Sequence, residues 1–344
     1  MSDLGSDSVR TPLERFHGTG NDFAIVEAEA AVGARRHFAR SICDPTGGLA
    51  VDGVLFLGLE PTCRPPRVVM TLVQPDGSTA PMCGNGARCA AAWAMDRTGT
   101  DVVMIDTQAG SRRATRVSTD EDADWGIAVE MGPPSFDPES VPVRAAMPVV
   151  DSPLTERTDG VGFDERTVRI ATDAVNRRTD DLRVTAVDTG VPHAVAFVDD
   201  VDAVALDRLG PAIRNAEPFP LGANVTIASR IDERTVTSSP NWDGPAEERP
   251  TAFHQRTYER GVEGETAACG TGAVAIAAVA RRLGAVDAGD RLTIRPPGGE
   301  LNVSFDECGR AILEGPVVRE RTLTVAVTGE TITVDDGDAI AADD

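Results

Sequence analysis

The feature that most constrains this chain is a short motif that occurs twice. Residues 81–92 read Pro-Met-Cys-Gly-Asn-Gly-Ala-Arg-Cys-Ala-Ala-Ala, and residues 267–278 read Ala-Ala-Cys-Gly-Thr-Gly-Ala-Val-Ala-Ile-Ala-Ala. Each copy places a cysteine before Gly-x-Gly-Ala and continues into an alanine-rich run without proline. Because alanine is the best helix former, each copy predicts a turn that leads into a helix. Two matched copies predict two similar half-structures.

The position of each cysteine, at the start of its predicted helix, has a chemical consequence. The first backbone N–H groups of a helix have no partner within the helix, and the positive end of the helix dipole lies there. This environment favours an anion and lowers the pKa of a thiol from its usual value of about 8.5. A small carboxylate could bind the N–H groups of both helices, with its α carbon between the two sulfurs. One thiolate could then remove the α proton while the opposite thiol delivers another.

The same residues also allow less specific interpretations. A cysteine before a helix is most often a small buried apolar residue, and a disulfide between Cys83 and Cys269 is a second structural possibility. The four histidines are scattered and the cysteine spacings fit no zinc-ligand pattern, so we predict no metal. No lysine is present to form a Schiff base with pyridoxal phosphate, and we predict no cofactor. The remaining cysteines are predicted to be packing residues: Cys43, Cys63, Cys89 and Cys308.

The charge of the chain excludes several classes of partner. Its formal net charge is −22, from 55 acidic residues against 33 basic ones, and all of the basic residues are arginine. An acidic surface without lysine is typical of a halophilic protein, and it argues against nucleic acid or an anionic membrane as partner. No apolar run approaches the roughly 20 residues that span a bilayer. The polar first ten residues lack a signal peptide, which predicts a cytoplasmic protein with reduced thiols.

The rest of the sequence predicts an α+β fold with two similar domains. Strand patterns dominate, among them residues 167–171, and each half has one well-marked helix, the first ending at Gly99. Residues 34–41 also have a helical pattern. A second landmark is shared, because residues 19–23 and 189–193 both place Thr-Gly at a turn before an apolar strand. The proline-rich residues 133–148 are predicted to link the domains.

With these features the chain resembles the diaminopimelate epimerase family of cofactor-independent enzymes, from residue 16 to about residue 323. The motifs that carry the resemblance are His-Gly-Thr-Gly-Asn-Asp-Phe at 17–23, Asp-Gly-Ser at 76–78, Met-Cys-Gly-Asn-Gly-Ala-Arg-Cys at 82–89, Pro-His at 192–193, Gly-Ala-Asn-Val at 222–225, Tyr-Glu-Arg-Gly at 258–261, Gly-Glu-Thr at 264–266, Ala-Cys-Gly-Thr-Gly at 268–272 and Pro-Gly-Gly at 297–299.

The resemblance implies a reaction and a set of site residues. Cys83 and Cys269 correspond to the acid–base pair that interconverts L,L- and meso-diaminopimelate in lysine biosynthesis. The residues that match those holding the amino and carboxylate groups of the substrate are Asn21, Asn224, Glu259 and Arg260. Those that match donors of backbone N–H bonds are Gly84, Asn85, Gly270 and Thr271. We include Gln74 and His193 in the predicted substrate site as well.

The resemblance also implies an architecture. We expect two pseudo-symmetric domains, each a mostly antiparallel sheet or barrel around a central helix, with the active site in the cleft between them. The predicted halves are residues 12–133 and 134–313, with a final strand at 314–330 returning to the first half. Flexible tails are expected at 1–11 and 331–344, and a homodimer is the expected assembly.

Three departures from the family pattern concern substrate specificity. Gln74 stands where the family usually has asparagine before Ala-Asp-Gly-Ser, Val191 replaces the asparagine of Gly-Asn-Pro-His, and residues 238–251 resemble an insertion. Alternatives from the same fold are a proline or hydroxyproline racemase, which usually has histidine in place of Asn85, and the phenazine-synthesis isomerases, which lack the cysteine pair. A non-catalytic amino-acid-binding descendant is the alternative outside enzymes.

Overall fold

The computed structural model describes residues 10–118, 125–155, 162–175, 182–231, 251–328 and 331–336. Nearly all of the predicted insertion at 238–251 and most of both predicted tails lie outside these residues. The chain divides into an N-terminal unit, residues 1–127 with 316–344, and a C-terminal unit, residues 128–315.

The N-terminal unit is a sheet with two helices. Its elements are β1 (Arg10–Gly18), β2 (Asn21–Glu27), α1 (Arg35–Cys43), β3 (Gly53–Glu60), β4 (Arg67–Val73), β5 (Thr79–Ala80), α2 (Gly84–Thr98), β6 (Val102–Thr107), β7 (Gly110–Ser118) and, from the end of the chain, β18 (Thr331–Asp336). Two further strands have some residues in each unit: β8 (Trp125–Gly132) and β17 (Ala311–Thr328).

The pairing of these strands surrounds helix α2. Neighbouring strands follow the order β18-β17-β1-β2-β3-β4-β6-β7, and most pairs are antiparallel. The two parallel pairs are β2–β3, which α1 connects, and β4–β6, which α2 connects. Helix α2 contacts six of the strands, β1 to β4, β6 and β7. It is therefore the central helix of this unit.

The C-terminal unit repeats this topology. Its elements are β9 (Ser152–Pro153), α3 (Glu165–Val175), β10 (Arg183–Asp188), β11 (Pro192–Phe197), α4 (Leu206–Arg214), β12 (Asn224–Arg230), β13 (Ala252–Glu259), β14 (Gly264–Glu265), α5 (Gly270–Arg282), β15 (Leu292–Arg295) and β16 (Leu301–Phe305). The parallel pairs are again the two with helical connections, β11–β12 through α4 and β13–β15 through α5. Helix α5 contacts β10 to β13 and β16, so it takes the place that α2 has in the first unit.

Alanine explains why these two helices are central. Residues 84–95 of α2 and 270–280 of α5 are all buried, so neither helix has a polar face toward solvent. A helix that is apolar all round belongs in a core, and the small alanine side chain lets strands approach from every side. Helix α2 ends at Gly99 in the left-handed conformation, with its N–H bonded to the Met95 carbonyl at 2.9 Å, as predicted. The predicted α+β class, with two similar units each containing a central helix, is confirmed.

Several local predictions are wrong. The strand predicted at 167–171 is part of α3, because Thr167, Ala171 and Ala174 recur at helical spacing on its buried face and the Asp164 carboxylate accepts the Thr167 N–H bond. Helix α1 lies where residues 34–41 predict a helix, whereas α3 and α4 were not predicted.

Other differences concern the ends of elements and the predicted linker. Residues 331–336, predicted as tail, form β18 against β17, and residue 10 already belongs to β1. Val141 and Val143 are buried in the core of the C-terminal unit, so the proline-rich segment is packed chain of that unit. Cys308 is exposed in the turn between β16 and β17, so it is not the packing residue that we predicted; Cys63 is half-buried, while Cys43 and Cys89 are buried.

Candidate active site

Each central helix begins at its cysteine, and the two residues define two half-sites, one in each unit. Cys83 caps α2 in an extended conformation, with φ −144° and ψ 117°, and Cys269 caps α5 with φ −121° and ψ 105°. Both cysteine carbonyls accept the first helical bond, from Ala87 at 2.8 Å and Ala273 at 2.9 Å. The thiols therefore lie where the sequence predicts them, beside the N–H groups of the first helical turn. The six cysteines of the chain, all within the described residues, form no disulfide.

The first half-site is held by a chain of side-chain amides. Asn85, in the first turn of α2, donates from Nδ2 to Asn21 Oδ1 at 2.5 Å, and Asn21 Nδ2 lies 3.4 Å from Asp52 Oδ2. The same Asp52 oxygen accepts the Asp22 N–H bond at 2.8 Å. Burial raises the pKa of Asp52, while the bonds from Asp22 and Asn21 act against the rise. The start of β2 is thus fixed to the start of α2.

Arg88 belongs to this half-site, although the sequence predicted no role for it. Its side chain is 0% exposed, and its guanidinium donates from Nη2 to Thr19 Oγ1 at 2.7 Å and from Nη1 to the Gly84 carbonyl at 3.4 Å. Thr19 lies in the two-residue turn between β1 and β2, at φ 57°. Burial lowers the pKa of Arg88 to about 10. The motif containing Arg88 was visible in the sequence, but nothing in the sequence indicated that the cation would be buried.

The second half-site is a network of neutral hydrogen bonds. The Cys269 sulfur lies 3.4 Å from Thr271 Oγ1, which lies 3.0 Å from His193 Nε2. The other ring nitrogen, Nδ1, is 3.0 Å from Thr226 Oγ1. The His193 ring is 0% exposed, and burial, with a smaller effect of Arg260, lowers its pKa to about 3. The enclosed ring orients the Thr271 hydroxyl, and its contact with substrate stays a prediction.

Close packing fixes the first turn of α5. A Cβ atom at Gly272 would lie 2.6 Å from Gln255 Nε2 and 3.0 Å from Thr257 Oγ1, so a larger residue would displace the Gln255 amide. Gln255 uses that same nitrogen to bond the Cys269 carbonyl at 2.9 Å and Thr257 Oγ1 at 3.1 Å. The sequence shows the glycine, but the partner that a side chain would displace comes from β13 and was not predicted.

Asn224, Glu259 and Arg260 also lie in the second half-site. Asn224 Oδ1 accepts the Arg260 backbone N–H bond at 2.8 Å, and its Nδ2 lies 3.3 Å from His193 Nε2. The Arg260 guanidinium donates from Nη1 to the Leu221 and Gly222 carbonyls at 3.2 and 3.3 Å. The Glu259 carboxylate accepts a short hydrogen bond from the Thr266 hydroxyl. These bonds hold the charged side chains of the Glu-Arg pair in fixed positions.

Gln74 lies apart from the bonded groups of the first half-site. It closes the Asp-Gly-Ser turn, since its side-chain oxygen accepts the Ser78 hydroxyl bond at 2.9 Å and its backbone exchanges bonds with Gly77 and Ser78. Val191, in the turn before β11, is half-buried. Hydrogen bonds thus connect four of the predicted residues to Cys269, namely Arg260, Asn224, His193 and Thr271, and connect Asn21 to Asn85 at the start of α2. The bonds of Gln74 described above stay within its own turn.

Comparison with known proteins gives consistent matches to one family. The sequence profile of the family described as diaminopimelate epimerase matches residues 15–136 and 185–320. The diaminopimelate epimerase of Methanocella arvoryzae is 38% identical over 317 residues, which cover 90% of this chain and 94% of that protein. That of Methanothrix thermoacetophila is 36% identical over 310 residues, 88% of this chain and 92% of the relative.

Solved structures with the same fold are more distant in sequence. A predicted epimerase from Pseudomonas aeruginosa superimposes with a TM-score of 0.63 at 17% identity, covering 92% of this chain and 100% of the other. A hydroxyproline epimerase from Agrobacterium vitis, with bound trans-4-hydroxy-L-proline, gives 0.60 at 16% identity, covering 93% and 94%. At these identities the likeness shows the fold alone.

Proposed function

The chain belongs to the diaminopimelate epimerase family, and on this premise we propose that it interconverts L,L- and meso-diaminopimelate by two-base proton transfer at the α carbon. The observation that carries this proposal is the pair of cysteines at equivalent positions, each capping the central helix of its unit. Inverting a carbon centre needs a base for the departing proton and an acid for the arriving one. Cys83 and Cys269 supply one thiol each, with no cofactor.

The helix starts serve the carboxylate at the reacting carbon. Removing an α proton places negative charge on that carboxylate, and preorganised N–H donors stabilise such charge most effectively. Positions 84 and 85 of α2 and positions 270 and 271 of α5 are the first two of each helix, so their backbone N–H groups point out of the helix end. We assign these donors to the carboxylate, and Asn21 to positioning Asn85 through their bond.

Arg260 and Glu259 supply the charged contacts. The substrate has a second amino-acid end, and the guanidinium of Arg260 is suited to its carboxylate because two backbone carbonyls already hold it. Glu259 is a carboxylate partner for an ammonium group. A charge-assisted bond contributes about 1.5–3 kcal/mol, whereas a neutral amide bond contributes about 0.5–1.5 kcal/mol. Losing one amide to Val191 therefore leaves the Arg260 contact dominant.

Substrate preference tests this assignment. We expect kcat/KM for diaminopimelate to exceed that for proline, hydroxyproline and alanine, because only diaminopimelate offers a distal carboxylate. The four compounds are compared at equal enzyme concentration by exchange of the α hydrogen in deuterated water. Val191 favours the competing view, in which an apolar pocket accepts a smaller monocarboxylic amino acid. A higher kcat/KM for any of the three small amino acids would overturn the diaminopimelate assignment.

The amino-acid composition supports a proposal for the cellular environment of this enzyme. We assign it to the cytoplasm of a halophile, since the excess of carboxylates over arginines gives a net charge of −22. Among the helices that the structure describes, none combines the length and apolar character needed to cross a bilayer. A homodimer remains a prediction from the family resemblance.

A further inference from the structure

We propose that in the resting enzyme Cys83 carries the thiolate and Cys269 the protonated thiol, and that Arg88 is a positioning residue that maintains this distribution. The inference rests on the proposed two-base reaction and assigns the two roles within it. A two-base enzyme needs one base and one acid before substrate arrives. The two half-sites share their backbone geometry but differ in the groups around the sulfur.

The first difference is the helix-capping bond. The Gly86 N–H donates to the Cys83 sulfur at 3.4 Å, whereas the Cys269 side chain makes no capping bond to α5. An N–H group can only donate, so the Cys83 sulfur is the acceptor in this bond. A sulfur that accepts at the positive end of a helix dipole is favoured as an anion. Cys83 is also half-buried, whereas Cys269 is 4% exposed, and burial disfavours the charged form.

The second difference is the buried cation. The Arg88 guanidinium is bonded to the carbonyl of Gly84, the residue next to Cys83, and its Nε makes no hydrogen bond within the described part of the chain. No carboxylate among the described residues forms an ion pair with Arg88. A fully buried charge is costly unless an opposite charge compensates it. The groups that raise the pKa of Arg88 against the effect of burial are the thiols of Cys89 and Cys83.

Of these two thiols, Cys83 is the one available as an anion. Cys89 is 0% exposed, and burial raises the pKa of its thiol to about 12, so it is neutral near pH 7. The corresponding position on α5, five residues after Cys269, is the buried Val274. The cation is therefore a feature of the first half-site, and the matching place in the second is apolar.

The third difference is the direction of the hydrogen bonds around Cys269. Asn224 accepts the Arg260 backbone N–H bond through Oδ1, which turns its NH₂ group toward His193 Nε2. Nε2 is then the acceptor nitrogen of the neutral ring. We assign the Thr271 hydroxyl as its main donor, because the Thr271 contact of 3.0 Å is shorter than the Asn224 contact of 3.3 Å and the nitrogen has a single lone pair. With its single proton used, Thr271 Oγ1 can only accept, and the group that donates to it is the S–H of Cys269. The network holds Cys269 in its protonated form.

The remaining charged groups near each sulfur do not reverse this order. In the first half-site, Asp22 is paired with Arg15 at 2.6 Å, and burial raises the pKa of Asp52. In the second, Arg260 is the nearby cation, and the negative charges of Asp188 and Glu263 act on it. Burial raises the pKa of Asp188.

The test measures the protonation of each cysteine separately. The full-length protein without substrate is treated briefly with iodoacetamide across a pH series, and modification of each cysteine is quantified from its peptide by mass spectrometry. Midpoints are compared rather than absolute rates, because the two sulfurs differ in exposure. We expect the Cys83 midpoint at least about one pH unit below that of Cys269, a tenfold difference in thiolate fraction. A Cys269 midpoint at or below that of Cys83 would overturn the proposal.

Variants of Arg88 separate its electrostatic role from a structural one. In Arg88→Met we expect the Cys83 midpoint to rise by about one unit while that of Cys269 stays unchanged, and in Arg88→Lys, which keeps the charge, we expect a smaller rise. An unchanged Cys83 midpoint in folded Arg88→Met would remove Arg88 from the proposal. If Arg88→Met does not fold, the wild-type midpoints still decide the thiolate assignment. Because no substrate is used, this outcome is independent of whether the enzyme prefers diaminopimelate.

Discussion

Replacing Cys83 or Cys269 with alanine is expected to lower the rate of epimerisation by about 10²–10⁴-fold, the usual contribution of one acid–base group. Each cysteine caps its own helix, and in the proposed mechanism inversion of the α carbon uses one thiol as base and the other as acid. Without one of the thiols, either the removal of the α proton or the delivery of the new proton has no side chain to carry it out. The rate is measured with L,L-diaminopimelate at saturating concentration, so that altered binding does not obscure altered chemistry.

Cys89→Ala is the matched control for these variants. Cys89 lies in the same helix as Cys83, is fully buried, and its sulfur packs near the backbone of Gly18 rather than at the helix start. We expect its removal to lower thermal stability slightly while kcat stays within a few-fold of wild type. Wild-type rates in Cys269→Ala would refute the two-base mechanism. A loss in Cys89→Ala as large as that in Cys83→Ala would show that the effect comes from packing of α2.

The melting temperature is expected to rise steeply with salt. The net charge of −22 comes from carboxylates that repel one another when salt does not screen them. The Debye length falls from about 10 Å at 0.1 M salt to about 3 Å at 1 M. Salt also weakens attractive pairs such as Arg67–Glu60 and Arg295–Glu300, but these are partly exposed, and such pairs contribute about 0–1 kcal/mol each. Relief of the general repulsion should therefore dominate.

The expected size follows from the usual relation between stability and melting temperature. For domains of this size, 1 kcal/mol corresponds to about 2–4 °C, so a gain of several kcal/mol raises the melting temperature by about 10 °C. Melting is followed in sodium chloride from low to molar concentration, with sucrose of equal osmolality as the control for excluded-solute effects. A melting temperature that stays level across this range would contradict the halophilic assignment.

The parts of the structure that could be predicted from sequence depend on local signals. The two cysteine motifs indicated both central helices, because the alanine runs and the preceding Gly-x-Gly turns specify helix starts locally. Gly99 was identifiable as a helix end for the same reason. Helix α3 was misread, since the β-branched residues Thr167, Val168 and Ile170 imitate a strand over a short window, while the buried spacing that makes it a helix emerges over eleven residues.

The rest of the site depends on contacts between residues far apart in sequence. Arg88 is enclosed because Thr19, in a turn 69 residues earlier, comes to accept its bond. The direction of the bonds at Cys269 depends on Asn224, His193 and Thr271, which belong to three different elements. The sequence places these residues in recognisable motifs, but their pairing and burial are products of tertiary packing. For this reason the helix-start positions of both cysteines could be predicted, and the difference between their surroundings could not.

If two thiols act on one α carbon, deuterium from the solvent enters the product and not the remaining substrate. L,L-diaminopimelate is incubated with wild-type enzyme in deuterated water, and both stereoisomers are analysed before a tenth of the substrate has reacted. The acid thiol exchanges its proton with solvent, so we expect the first meso product to carry α-deuterium while the remaining L,L isomer carries almost none. Equal deuterium in both isomers, as a single base would produce, or product without deuterium, would contradict the mechanism.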